Sequence, residues 1–287
     1  MTNLRCGFIG LGGMGAPMSR HLAARGLLAV VGNRTFSKAQ ALAAELGVAA
    51  SETAYGFADC DVVMLCVGVD ADVLQNVAEL AQVLKPGAVV VDHSTVAPAT
   101  ARQAAAMLAD KNIGFVDAPV SGGVEGARNG KLSVMAGGDH THLEKARPAL
   151  ECYAMRLSHL GGVGQGQATK AVNQVMVAGI NEAVCEALAL GKALGLDAET
   201  LIPTLASGAA ANWFLDKRGT TMLAGQFTPG FKCGFMLKDL RIVEATAREA
   251  GVAHPATRQA LADYERIVAE GGFDDDTSAL IRLKLPQ

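Results

Sequence analysis

The sequence predicts an α/β chain: a doubly wound parallel sheet in the first half, followed by an all-α second half. Three observations carry this. Short apolar runs that end in Gly, Asn, Ser or Thr alternate with helical stretches from Leu4 to about Leu160, the pattern of strand–helix–strand units with helices on both faces of one sheet. After Leu160 the strand signals stop, and residues 164–287 read as helices. Between the halves lies Gly161-Gly162-Val163-Gly164, a breaker-rich stretch that places the boundary there and divides the chain into 1–162 and 163–287.

Composition agrees. A chain of 287 residues has room for one large domain or two ordinary ones. Half of it is hydrophobic and 18% is charged, with 33 glycines, as in a compact, well-buried protein. A formal charge of −3 without any basic run argues against a nucleic-acid partner. The strand pattern begins by about Leu4, leaving no room for a signal peptide. The one long apolar stretch is broken by Lys170, Asn173, Gln174, Asn181, Glu182 and Glu186, so no membrane span is expected. Six cysteines without a Cys-x-x-Cys pair read as reduced packing residues of a cytoplasmic protein. No cluster has metal-ligand spacing, and no metal is expected.

The first strand runs into Gly10-Leu11-Gly12-Gly13-Met14-Gly15, and a helix follows over Ala16–Ala24. This is the Gly-x-Gly-x-x-Gly fingerprint of a Rossmann-type dinucleotide site, in the strand–turn–helix setting it requires. The first glycine makes the tight turn, the second admits a pyrophosphate, and the third lets helix pack on strand, with the helix N-terminus facing the phosphates. A glycine-rich turn without a ligand is the alternative. The second strand, Leu28–Val31, ends in Gly32-Asn33-Arg34-Thr35. An NAD site usually carries an acid here to hold the ribose hydroxyls. Asn33 brings no charge, whereas Arg34 and Thr35, with Lys38 nearby, suit a 2′-phosphate, so NADP is expected over NAD. An ordinary exposed loop arginine is the alternative.

Next come a helix over Ser37–Leu46, a strand over Asp61–Val67, a helix over Asp70–Leu84 and a strand over Ala88–Asp92. Pro98 opens another helix, and Gly114–Ala118 forms a strand that leads into Pro119-Val120-Ser121-Gly122-Gly123. Further strands are expected over Lys131–Ala136 and Met155–Leu160, with a helix over Thr141–Cys152 between them. Ligands of such sheets bind beyond the carboxyl ends of the strands, where Gly10, Val67, Thr95 and Ser121 all fall. Ser121, Gly122 and Gly123 offer a hydroxyl and consecutive N–H groups suited to a carboxylate. The same glycines are equally explained by a turn that needs positive φ. His93 also stands at a strand end, but no carboxylate partner is visible in sequence and it reads as packing.

A single helix is predicted from about Gln165 to Leu194, roughly 45 Å at 1.5 Å per residue. It is apolar nearly all round, which predicts burial on every side. Its first turns carry Lys170, Asn173 and Gln174 at i, i+3 and i+4, on one face, with Asn181 close to the same face. An amine beside two amides reads as the wall of a polar pocket, and a solvated polar stripe is the alternative. Helices follow over Ala198–Ala206, Asn212–Thr220, Phe235–Ala250 and Pro255–Ala269, with a last turn near Ser278–Leu283. Lys238, followed by Asp239, lies early in one of them, beneath Phe227, Phe231 and Phe235. A domain of this size cannot cover the long helix alone, so a homodimer or homotetramer through residues 164–287 is expected.

Five stretches, in this order, resemble the β-hydroxyacid dehydrogenases, the family that includes the 3-hydroxyisobutyrate dehydrogenases. They are Gly7–Gly15, Asp92-His93-Ser94-Thr95, Asp117–Gly123, Gly164-x-Gly166-x-x-x-Lys170 and Lys238-Asp239-Leu240. The resemblance spans essentially the whole chain. It implies that Lys170 is catalytic, that Ser121, Gly122 and Gly123 hold a substrate carboxylate, and that Thr95 and Lys238 flank the nicotinamide side of the cofactor. It also implies hydride transfer between nicotinamide and a small carbonyl acid. Lys170, its pKa lowered by burial, would protonate the carbonyl oxygen, Asn173 would orient the amine, and Gln174 would meet the substrate.

Asn173-Gln174 and the turn Ser133–Gly138 are similar to tartronate semialdehyde reductases, that is, 2-hydroxy-3-oxopropionate reductases. Those enzymes commonly carry Asp where Asn33 stands, and Asn212-Trp213-Phe214-Leu215 is bulky for so small a substrate. A 3-hydroxyisobutyrate dehydrogenase and a glyoxylate/succinic semialdehyde reductase therefore stay open. An imine reductase on the same plan usually lacks a lysine at position 170. A non-catalytic nucleotide-binding protein would be expected to lose it.

Overall fold

The computed structural model describes residues 4–285. The chain divides into two compact units between Lys170 and Ala171. In the first, strand and helix alternate as β1 (Cys6–Ile9), α1 (Gly15–Ala24), β2 (Leu28–Gly32), α2 (Phe36–Leu46), β3 (Ala49–Ser51), β4 (Val62–Leu65), α3 (Asp70–Leu80), β5 (Val89–Asp92), α4 (Pro98–Ala109) and β6 (Gly114–Asp117). Then follow β7 (Val120–Ser121), α5 (Gly123–Arg128), β8 (Leu132–Gly138), α6 (His140–Leu150) and β9 (Ala154–His159).

The sheet order is β3-β2-β1-β4-β5-β6-β8-β7, with β9 on β8. The six strands from β3 to β6 are parallel. The winding direction reverses between β1 and β4, the switch point of a doubly wound sheet. The added strand β8 runs antiparallel to both β6 and β7, so the sheet is mixed at that edge.

Alternation along β4 explains how one sheet supports helices on both faces. Val62 and Met64 enter one core cluster, with Phe8, Met18 and Leu22. Val63 and Leu65 enter the other, with Val77, Leu80 and Leu108. Side chains on successive residues of a strand point to opposite faces, and full burial of each contributes about 1.5–3 kcal/mol. Among the described strands and α-helices, three short ones escaped the sequence reading. β3 has only three residues, Ala-Ala-Ser, none of them β-branched; β7 has two. α5 begins in the glycines of the Ser121-Gly122-Gly123 stretch and lasts six residues.

Helix α7 (Gln165–Ala193) crosses the division. The second unit continues with α8 (Ala198–Ala206), α9 (Trp213–Leu223), α10 (Cys233–Glu249), α11 (Pro255–Ala269) and two short 3₁₀ turns. Side-chain caps define several starts: Asp197 accepts from the N–H groups of Glu199 and Thr200, and Asn212 accepts from that of Leu215. Phe214 and Leu215 are therefore core residues, packed with Val184, Leu188, Met222 and Tyr264, while Trp213 is half exposed beneath the Arg218 guanidinium. Near the C-terminus, Lys284 sits 2.7 Å from Glu182 and 2.6 Å from Asp263. These two carboxylates hold its pKa above the usual lysine range despite burial.

Two expectations about α7 are corrected. Within the chain it is not buried on every side, because Val172, Val175, Met176 and Leu190 stand 64%, 39%, 64% and 60% exposed. Their spacing follows one helix face, which the helices of this one chain leave uncovered. Asn181 does not belong to a pocket wall: it is buried and donates to the Tyr264 hydroxyl at 2.9 Å. All six cysteines are free. Among the described residues no helix is long and apolar enough to cross a membrane.

Candidate active site

The glycine turn separates what the fold needs from what a ligand needs. Gly10 has φ +96°, and a Cβ there would lie 2.2 Å from the Cys66 carbonyl oxygen. A Cβ on Gly15 would lie 1.8 Å from the carbonyl oxygen of Gly10. Both positions are closed to any other residue. A Cβ on Gly12 would meet nothing within 4 Å, and its φ is not in the left-handed region. Its glycine is thus unexplained by internal packing and leaves open the space a pyrophosphate would take. Gly13 faces the Val124 side chain, Met14 is the last residue before α1, and the Leu11 N–H is bonded to Asn33 Oδ1 at 2.9 Å.

Asn33 is therefore tied to the turn, and its amide nitrogen donates to the Thr35 carbonyl at 3.0 Å. The residues that follow β2, Asn33, Arg34 and Thr35, include no acid. The Arg34 side chain is 90% exposed and lies 3.6 Å from Asp72. Val67 stands beyond β4, with its N–H bonded to Ser94 Oγ at 2.9 Å, and half-buried Thr95 stands beyond β5. The first unit thus brings the glycine turn, Asn33–Thr35, Val67, Thr95 and Ser121 to the strand-end side of one sheet.

Lys170 belongs to the same unit. It is buried, and its Nζ donates to the Val120 carbonyl at 3.0 Å, next to Ser121. Gly122 and Gly123 have φ +128° and +60°, so the turn requires glycine in any case, and α5 starts from it. Asp117 escaped the sequence reading as a separate site residue. It is fully buried, and burial raises its pKa to about 6 against the pull of backbone N–H groups from Gly164 and Gln167. Gln167 was missed as well, although both residues lie inside motifs that the sequence displays. His93 is packing, as expected: Nδ1 lies 2.7 Å from the Ala118 carbonyl and Nε2 2.7 Å from the Tyr153 hydroxyl. Its burial lowers the pKa to about 4.

In the second unit Gln174 is 2% exposed and has both ends of its amide engaged. Its Nε2 donates to Asp239 Oδ2 at 2.7 Å, and its Oε1 accepts from Asn173 Nδ2 at 2.8 Å. A carboxylate only accepts, so Asp239 fixes the orientation of Gln174, and Gln174 fixes that of Asn173. These bonds engage the Gln174 amide within its own unit, and half-buried Asn173 is the amide with more capacity to spare. Lys238 Nζ lies 3.0 Å from Asp239 Oδ1.

Comparison with known proteins agrees with this architecture. Residues 5–161 match the family described as the NAD binding domain of 6-phosphogluconate dehydrogenase. Residues 164–284 match the family described as NAD-binding of NADP-dependent 3-hydroxyisobutyrate dehydrogenase. An uncharacterized oxidoreductase of Shewanella frigidimarina is 40% identical over 96% of both chains. The 2-hydroxy-3-oxopropionate reductase of Escherichia coli is 32% identical over 97% of this chain and 96% of its own. The solved structure of Mycobacterium tuberculosis 3-hydroxyisobutyrate dehydrogenase with L-serine is 31% identical, with a TM-score of 0.87 over 98% of both chains. With a glycine turn in the strand–turn–helix setting of a dinucleotide site and family matches over residues 5–161 and 164–284, the chain belongs to the β-hydroxyacid dehydrogenases, NAD(P)-binding oxidoreductases of the 3-hydroxyisobutyrate dehydrogenase type.

Proposed function

We propose that this chain transfers a hydride between NADP and a small β-hydroxy acid or its semialdehyde, in the manner of a 2-hydroxy-3-oxopropionate (tartronate semialdehyde) reductase. The observation that carries the reading is Lys170: a buried ammonium beside the Ser121-Gly122-Gly123 turn, held by the Val120 carbonyl. The nicotinamide supplies or accepts the hydride when bound. During reduction the substrate carbonyl oxygen gathers negative charge. The Lys170 ammonium stabilises that charge and delivers a proton to the oxygen; in the reverse direction the neutral amine removes it. The Ser121 hydroxyl and the N–H groups of Gly122 and Gly123 hold the carboxylate, and Asn173 adds an amide.

The cofactor assignment rests on the end of β2, where Asn33 replaces an acid and Arg34 is exposed. Gly10–Gly15, Thr35, Val67 and Thr95 complete the cofactor residues in the first unit, and the family resemblance adds Lys238. The exposed stripe of α7 supports a homodimer or homotetramer, since apolar surface of that kind is stabilised by a second copy. The E. coli reductase and the L-serine complex named above both concern short acids with an oxygen at the β-carbon, which supports the substrate class.

The test is kinetic. The semialdehydes of tartronate, methylmalonate and succinate, and glyoxylate, are compared with both cofactors, in wild-type and Lys170→Ala protein. Tartronate semialdehyde with NADPH should give the highest kcat/KM, and Lys170→Ala should lower kcat about 10²–10⁴-fold. Lys170→Arg should not restore it, because guanidinium stays protonated and is planar. A Lys170→Ala enzyme retaining more than about a tenth of the rate ends this mechanism.

A further inference from the structure

We propose that Asp117 and Gln167 are positioning residues that hold Lys170 in place by fastening the first turn of α7 to the ends of β5 and β6. The inference rests on the acid–base reading of Lys170 above.

The opening N–H groups of a helix have no partner inside it. At the start of α7, Asp117 takes two from this region. Its Oδ1 accepts from the Gly164 N–H at 2.7 Å, and its Oδ2 accepts from the Gln167 N–H at 2.9 Å. The carboxylate thereby faces the positive end of a 29-residue helix. The approach is too close for any side chain in between. A Cβ on Gly166 would lie 2.4 Å from the carbonyl oxygens of Asp117 and Met135, and one on Gly137 would lie 2.6 Å from the Gly166 nitrogen. This is the physical content of Gly164-x-Gly166: φ +92° at the first glycine and backbone contact at the second.

Gln167 adds a second fastening of different chemistry. Its side chain is 1% exposed. Oε1 accepts from the Val96 N–H at 3.1 Å, and Nε2 donates to the Ser94 carbonyl at 2.7 Å. Only a group that accepts at one atom and donates at the other satisfies both. A carboxylate lacks the donor, and a thioether of the same length supplies neither. Lys170 follows Gln167 by three residues, on the same side of the helix, and its ammonium reaches the Val120 carbonyl just beyond β6. The four bonds of Asp117 and Gln167 therefore set the depth and rotation of the turn that carries the amine. A displacement of about 1 Å at a reacting group is worth about 10²-fold in rate.

The experiment uses the full chain with NADPH and the best substrate of the panel above, comparing wild type, Lys170→Ala, Gln167→Met, Gln167→Glu and Asp117→Asn. Melting temperature and amide hydrogen exchange at Val96 and Gln167 are measured on each. Gln167→Met keeps the side-chain length and removes both bonds. It should lose amide protection at Val96 and lower kcat about 10–100-fold, with the KM for NADPH changed less than about twofold and the pH profile of kcat displaced. Gln167→Glu keeps the acceptor for Val96 but sets a buried carboxylate oxygen against the Ser94 carbonyl, so it should lower kcat at least as much as Gln167→Met. Asp117→Asn, which puts an NH₂ against a backbone N–H, should lower kcat in the same sense and serves if Gln167→Met does not fold. Folded Gln167→Met and Asp117→Asn proteins with wild-type kcat and pH profile, beside an inactive Lys170→Ala, overturn this proposal and leave the assignment of Lys170 intact. A Lys170→Ala enzyme with wild-type kcat overturns that assignment and this proposal together.

Discussion

Gly12 and Gly15 belong to one motif, yet the structure gives them opposite reasons for being glycine, and a methyl group on each separates the two. At position 15 the new Cβ would lie 1.8 Å from the Gly10 carbonyl oxygen and 2.9 Å from the Phe8 ring. The nearest atom is backbone, so the turn itself must open. Overpacking of this kind costs about 1–3 kcal/mol or more, which in a domain of this size lowers the melting temperature by roughly 3–10 °C. At position 12 the methyl meets nothing within 4 Å, and φ lies outside the left-handed region that favours glycine. Gly12→Ala should therefore leave stability unchanged or raise it by about 0.4–1 kcal/mol through the unfolded chain. Its cost should appear only on cofactor binding, where the methyl takes the space of a phosphate oxygen. A loss of about 10–100-fold in NADPH affinity corresponds to roughly 1.4–2.8 kcal/mol. Scanning calorimetry and fluorescence titration with NADPH read the two quantities separately. A Gly12→Ala protein that binds NADPH like wild type would refute the pyrophosphate reading of the turn.

Three further outcomes follow from particular residues. Arg34→Ala should raise the KM for NADPH and leave that for NADH nearly unchanged; equal losses on both would show that Arg34 does not read a 2′-phosphate. The folded protein holds a proton on Asp117 up to about pH 6, whereas the unfolded chain releases it near 3.8. The stability this group contributes is present below pH 4 and lost as the pH rises through 6. Asp117→Asn should flatten that part of the curve, and chemical denaturation at pH 4, 5, 6 and 7 measures it. Replacing Val175 and Met176 on the exposed face of α7 by Glu should dissociate the assembly, read by light scattering. A wild-type protein that is already monomeric at micromolar concentration would remove this prediction and the assembly proposal.

Much of this protein is legible along the chain, because the signals involved are local. The strand-to-glycine ends, the period of the helices and the order of the motifs depend on near neighbours. They identified the doubly wound sheet, the helical second half and the dinucleotide turn. Pro98 and Pro255 marked helix starts for the same reason. What the tertiary structure decided is where polar groups find their partners. Gln174 shares a helix face with Lys170, but Asp239, 65 positions away, takes its amide into the interior. Asn181 shares that fate through Tyr264. Asp117 looked like the end of a strand, and only the fold brings it to the N–H groups of Gly164 and Gln167. A buried donor or acceptor must be satisfied by whatever the fold brings near, and that partner lies at a sequence distance no periodicity encodes.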